Sequence, residues 1–193
     1  NILDYGTGKG HLIAHLIKLN SVDVYGFDFA PESIQSTAQR FSTSPNFHGT
    51  KLIVPGKNFT TYQSEFFDFV FMIEAVEHLT DNYINSTFKE INRVLKRGGK
   101  LLVTTPNNEE LPHSHVCCPD CGAVFHRVQH MRSFDKISLP NLINNHGFRT
   151  LKCGVTNFSY YNELSILSFL KRSIASVRRD YSYPHLYYFG QKQ

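Results

Sequence analysis

Apolar positions along the chain switch between a spacing near two and a spacing near 3.6, marking out alternating strands and helices. Ile2 and Leu3 open a first strand over about 1–4. Leu12, Ile13, Leu16, Ile17 and Leu19 then recur at helical spacing and predict a helix over about 9–19. Val22 to Phe27 predicts a second strand, 22–28, and Pro31 opens a helix running to about Phe41. Thr43-Ser-Pro-Asn46 reads as a loop, a third strand falls within 47–54, and Pro55-Gly-Lys-Asn58 is turn chemistry. Phe66 to Ile73 is an almost unbroken apolar run, predicting a fourth strand, 67–73, buried on both faces. Asp81 is placed to cap a helix reaching Leu95, and Gly98-Gly99 turns the chain into a fifth strand, 100–105. Later patterns predict a helix over 136–146 stopped by Gly147, a strand over 148–155, a helix over 162–180 and a last strand over 187–191. The alternation predicts one α/β domain over 1–193, an open and mostly parallel sheet with helices on both faces. Asn1 already lies in the first strand, which predicts that further residues precede it in the whole protein.

Residues 107–134 break this rhythm. They are rich in His, Cys, Pro and Asn and poor in aliphatics, which predicts an inserted loop or small subdomain after strand five. Cys117, Cys118 and Cys121 fall within five residues, with Cys153 apart from them. That spacing is unlike a secreted disulfide framework and fits metal ligands or reduced thiols in a cytoplasmic protein. No apolar run approaches the ~20 residues of a membrane span. The net charge is +4 and uneven. Residues 136–193 carry Lys136, Arg149, Lys152, Lys171, Arg172, Arg178, Arg179 and Lys192 against only Glu163 and Asp180. Such a basic stretch suits either a solvated helix face or an anionic partner: nucleic acid, a phosphorylated lipid or a nucleotide-sugar.

The first strand runs directly into Asp4-x-Gly6-x-Gly8-x-Gly10 and then into the first helix. Glycines there allow a tight bend and let a ligand approach the main chain, and the helix start beyond offers unpaired N–H groups. The third glycine comes one residue earlier than in a dinucleotide-binding G-x-G-x-x-G loop. Asp28, at the end of the second strand, can accept hydrogen bonds from both hydroxyls of a ribose. With Glu74-Ala-Val-Glu77-His78-Leu79 after strand four and Val94 to Pro106 at strand five, residues 1–106 resemble the class I S-adenosylmethionine-dependent methyltransferases. The resemblance implies a Rossmann-like seven-stranded sheet of order 3-2-1-4-5-7-6, its last strand antiparallel. It implies that Asp4, Gly6, Gly8 and Gly10, with Glu74, border the cofactor and that Asp28 holds its ribose. One departure is that no acidic residue follows strand three to contact adenine before Glu65.

Two clusters carry candidate chemistry. Glu74, Glu77 and His78 would share a face if a helical turn starts at Glu74. They then form a catalytic group at the carboxyl end of strand four, where α/β sheets bind ligands. The arrangement is similar to small-RNA 2′-O-methyltransferases and ubiquinone-pathway O-methyltransferases, and the former supply a downstream histidine, for which His130 is the match. Mixed O/N ligation suits Mg²⁺, Mn²⁺ or another divalent ion; without metal, His78 is a general base. The second cluster is Cys118-Pro-Asp-Cys121-Gly122, a half-site for structural zinc whose remaining ligands are open among His113, His115, Cys117, His126 and His130, with His126 and His115 favoured if His130 joins the first cluster. The reading is an S-adenosylmethionine-dependent O-methyltransferase acting on a small molecule, sugar or lipid-linked glycan. Its rivals are RNA 2′-O-methylation and a non-catalytic cofactor-binding protein of the same fold.

Overall fold

The computed structural model describes residues 1–52, 62–158 and 184–193. The expected turn at Pro55 to Asn58, the helix over 162–180 and the basic pairs Lys171-Arg172 and Arg178-Arg179 lie outside the described residues. Five parallel strands follow the predicted order: β1 (Ile2–Tyr5), β2 (Val24–Asp28), β3 (Phe47–Leu52), β4 (Phe67–Ile73) and β5 (Leu95–Pro106). A two-stranded hairpin, β6 (His115–Cys117) and β7 (Val124–His126), interrupts the alternation before β8 (Phe148–Thr156) and β9 (His185–Lys192). The main sheet has the order β3-β2-β1-β4-β5-β9-β8, with β9 antiparallel to both neighbours. Apart from the hairpin, this is the expected seven-stranded sheet.

Helices α1 (His11–Leu16), α2 (Pro31–Arg40), α3 (Asp81–Val94) and α4 (Ser138–Asn144) sit in the predicted places. The first is shorter than its apolar pattern. Lys18 and Leu19 donate to carbonyls three residues back, which tightens the last turn and leaves Leu19 half exposed. Thr80, not Asp81, is the N-cap of α3. Asp81 instead pairs with Arg132 at 2.9 Å.

The larger core packs Leu3, Val70 and Met72 of the sheet against Ile84, Phe88 and Ile91 of α3 and Leu139 and Ile143 of α4. Each large apolar side chain so buried contributes roughly 1.5–3 kcal/mol. A smaller core on the other face joins Ile13 and Leu16 to Val24 and Phe41. Strand β4 departs from expectation: Val70 and Met72 are fully buried, but Phe69 and Phe71 are only partly covered among the described residues, stacked at 4.3 Å. Gly98-Gly99 forms an irregularity inside β5, where the register against β4 jumps from Phe67↔Leu95 to Phe69↔Lys100. Gly98 has φ +75, and a Cβ at Gly99 would meet the Lys96 carbonyl at 2.8 Å, so the bulge needs this pair.

The 107–134 insertion is tied at its base, where Asn107 bridges Phe134 and the Asn108 N–H donates to the Phe134 carbonyl. Its returning arm docks on the turn after β4. Met131 N–H donates to the Glu77 carbonyl at 2.8 Å, and Arg132 donates to the Leu79 carbonyl.

Candidate active site

The glycine loop leaves β1 in left-handed conformations that an L side chain resists: Gly6 has φ +89 and Gly10 +72. A Cβ on Gly10 would meet the Phe41 ring at 2.7 Å, while one on Gly8 would meet nothing within 4 Å. The main chain at Gly8 therefore borders open space. Its N–H donates to Asp28 Oδ2 at 2.6 Å, and the Ala30 N–H donates to Oδ1 at 2.9 Å. These bonds fix the Asp28 carboxylate and leave each oxygen a second lone pair for a ligand hydroxyl. Asp4 is buried beneath this loop, and its pKa is pushed up to about 8, first by burial and then by the charge of Asp28. A Cβ on Gly6 would meet the Ala75 Cβ at 3.1 Å, so the loop lies against the turn that carries Glu74 and Glu77.

That turn differs from expectation. Only Val76–His78 form a single 3₁₀ turn, and Glu74 stands before it at φ +48. The three side chains therefore do not share one helical face, because the chain reverses at Glu74 before the turn begins. The Glu74 N–H is held by the Thr104 carbonyl and hydroxyl at 3.0 and 3.2 Å. Its carboxylate faces His185 of β9, with 3.6 Å between Oε1 and Nδ1.

Glu77 and His78 do converge, and with His130 rather than Glu74. Their ligand atoms lie within 4.8 Å of one another. Glu77 is 1% exposed. Its Oε2 accepts from the Thr105 hydroxyl at 2.9 Å, whereas Oε1 has no hydrogen-bond partner. Oε1 lies 3.9 Å from His78 Nε2 and 4.0 Å from His130 Nε2. Burial, reinforced by the charge of Glu74, pushes the Glu77 carboxyl up to about 7. Burial, then the neighbouring His130, lowers the His78 pKa. A divalent ion about 2.1 Å from each ligand spaces them roughly 3.4 Å apart in tetrahedral geometry. The two separations from Glu77 Oε1 need to close by about half an ångström and the two imidazole nitrogens, within 4.8 Å, by up to about 1.4 Å, a rotamer adjustment by which these residues fit such an ion.

His126 is also buried here, close to Glu109 rather than to the cysteines. Cys118 and Cys121 occupy the hairpin turn. There the Cys118 N–H donates to the Ala123 carbonyl, the Gly122 N–H donates to the Cys118 carbonyl, and Gly122 takes φ +71. Backbone N–H groups of Cys121 and Asp120 lower the Cys118 thiol pKa. His115 and His126 pair across the other end of the hairpin, three strand positions or about 10 Å away. The extended strands thus separate the cysteines from the histidines expected to complete a zinc site.

Sequence reasoning missed Glu109 and His185. Neither belongs to a spacing motif; only the neighbours of β5, with Pro106 opposite His185 in β9, could have pointed to the second. Glu65 sits at the amino end of β4, 3.5 Å from Lys192 and away from the glycine loop, so it does not substitute for an adenine-contacting acid.

Comparison with known proteins agrees with this fold. The family described as "Methyltransferase domain" matches residues 1–152, and the chain belongs to that family. A ribosomal protein L11 methyltransferase of Janthinobacterium sp. (strain Marseille) is 30% identical over 104 residues, 54% of this chain and 31% of its own length. The chain thus spans about a third of that curated relative. Among solved structures, an S-adenosylmethionine-dependent methyltransferase from Mesorhizobium loti superposes with TM-score 0.69 at 14% identity, covering 100% of this chain and 90% of the other. One from Methanosarcina mazei gives 0.68 at 18%, covering 99% and 91%. The [4+2]-cyclase SpnF superposes as well, at 0.68 and 15% identity over 99% of this chain and 74% of the other. These likenesses establish the fold; the reaction has to be argued from the site.

Proposed function

We propose that the chain is an S-adenosylmethionine-dependent O-methyltransferase whose acceptor hydroxyl is bound and deprotonated at Glu77, His78 and His130. One observation carries this reading: a buried carboxylate with an unpartnered oxygen faces two imidazoles beside an open glycine loop. Asp28 and the Gly8 main chain would hold the ribose, with Asp4 and Glu74 near the methionine portion. S-Adenosylmethionine supplies an electrophilic methyl on a sulfonium, and a bound divalent ion makes a hydroxyl more acidic. Glu77, His78 and His130 would hold that ion and orient the acceptor oxygen, and Glu74 with His185 would line the approach. The hydroxyl proton passes to a site base as the oxygen–methyl bond forms and the sulfur–methyl bond breaks. The form of His78 gives a second, metal-free reading: its lowered pKa keeps it neutral and able to take the proton itself. A small hydroxylated acceptor, sugar or lipid-linked glycan is favoured over RNA, because the sequence carries no recognised RNA-binding signature. Free thiols at all four cysteines suit a reducing cytoplasm, and among the described residues no helix is long and apolar enough to cross a membrane.

Calorimetry with S-adenosylmethionine should show binding that Gly8→Val abolishes. Methyl transfer to a panel of hydroxyl acceptors should then fall with chelator and return with Mn²⁺ or Co²⁺. Failure to bind the cofactor would overturn the proposal; transfer that survives chelation but not His78→Ala would select the metal-free form.

A further inference from the structure

Glu109 lies three residues beyond β5, and its carboxylate spans two imidazoles. Oε2 is 2.5 Å from His130 Nδ1, and Oε1 is 3.4 Å from His126 Nε2. Glu109, His126 and His130 bring their ligand atoms within 4.8 Å of one another, as do Glu77, His78 and His130, and the two groups share His130. Distance decides which one is the ion site. Two ligands on one ion at about 2.1 Å each cannot approach closer than roughly 3 Å. The 2.5 Å between Nδ1 and Oε2 leaves no room for an ion and is a short, charge-assisted hydrogen bond. His130 therefore carries a proton on Nδ1, and in the neutral ring its lone pair sits on Nε2, the atom 4.0 Å from the unpartnered Glu77 oxygen.

His126 is set the other way. Its Nδ1 accepts the backbone N–H of His130 at 3.1 Å, which leaves the proton on Nε2; that atom lies 3.4 Å from Glu109 Oε1 without a hydrogen bond. The His126 and His130 rings stack with centroids 4.7 Å apart, so neither turns without displacing the other. The His126 side chain is only 3% exposed and that of His130 11%, which keeps water from substituting freely for the carboxylate.

We propose that Glu109 is a positioning residue: it holds His130 in its Nδ1-protonated tautomer and so turns Nε2, as a ligand, toward a divalent cation at Glu77 and His78. The proposal rests on the metal form of the function proposed above. Outer carboxylates that orient a ligating histidine commonly strengthen metal binding 10–100-fold.

Imidazole nitrogen chemical shifts of the metal-free whole chain, at about pH 8.5 where free imidazoles are neutral, read the tautomer directly. Wild type should show His130 protonated on Nδ1. Glu109→Leu keeps much of the volume but offers Nδ1 no acceptor, so nothing holds the proton there and it should move to Nε2. Calorimetry with Co²⁺ alone should give one ion per chain in both proteins, with affinity about 10–100-fold lower in the variant; an unchanged thermal midpoint would show that the fold is intact. A wild-type His130 protonated on Nε2 or on both nitrogens, an unmoved tautomer in Glu109→Leu, an unchanged Co²⁺ affinity, or two ions per chain would each overturn the proposal. Wild type that binds no Co²⁺ would overturn it by removing the metal reading beneath it, and that failure is recognisable because the tautomer is read without any ion.

Discussion

Asp4 is a buried carboxyl beside the glycine loop, and its burial bears on stability. Its folded pKa of about 8 lies above the ordinary carboxyl value of 3.8, so the folded state binds the proton more tightly than the unfolded chain does. The carboxyl therefore does no harm at low pH, and the native state loses stability as pH rises between those two values, by up to about 1.4 kcal/mol per pH unit. Asp4→Asn should flatten that slope, and denaturant unfolding at several pH values would show it; an unchanged slope would clear Asp4 of the effect. At this scale the sequence was informative where backbone geometry is encoded by residue type. The left-handed backbone at Gly6, Gly8 and Gly10 and the place of Asp28 at the end of β2 were legible because glycine conformation and strand ends follow local rules. Glu109 and His185 were not, because their roles arise only when β9 and the insertion return to the strand ends. Glu74 was misplaced because its left-handed backbone breaks the helical spacing that its neighbours suggest.

Strands and helices were legible to within a few residues, since their apolar periods reflect the faces they bury. Helix α3 is the clearest case: Ile84, Phe88, Ile91 and Val94 recur on one side, and all four are buried in the larger core. Phe88, fully buried, anchors it. Phe88→Ala should cost about 3–5 kcal/mol by chemical denaturation, as expected for a large core side chain; a loss below about 1 kcal/mol would mean that the helix is not held by this face. The hairpin in the insertion was the least legible element. Its apolar residues Val124 and Phe125 are exposed, so no buried face imposed a readable period, and the cysteine and histidine spacing suggested a compact cluster that the extended strands do not form.

Across the whole molecule, the strand order was readable because a β-α-β alternation leaves few right-handed ways to wind a parallel sheet. The antiparallel last strand was foreseen only through family resemblance, since nothing in residues 187–191 alone states which neighbours they join. That strand has a consequence for where the chain can be divided. The family match ends at residue 152, yet β5 is paired along Lys100 to Pro106 by β9. A chain cut after residue 152 would keep the glycine loop, Glu77 and His130, but would turn β5 into a long, apolar sheet edge with open hydrogen-bonding groups. Such edges recruit other copies. The shortened chain should aggregate on expression and regain solubility when residues 184–193 are supplied as a separate peptide, as light scattering with and without the peptide would show. The stretch that defines the family by sequence is thus not a unit that can stand alone in solution.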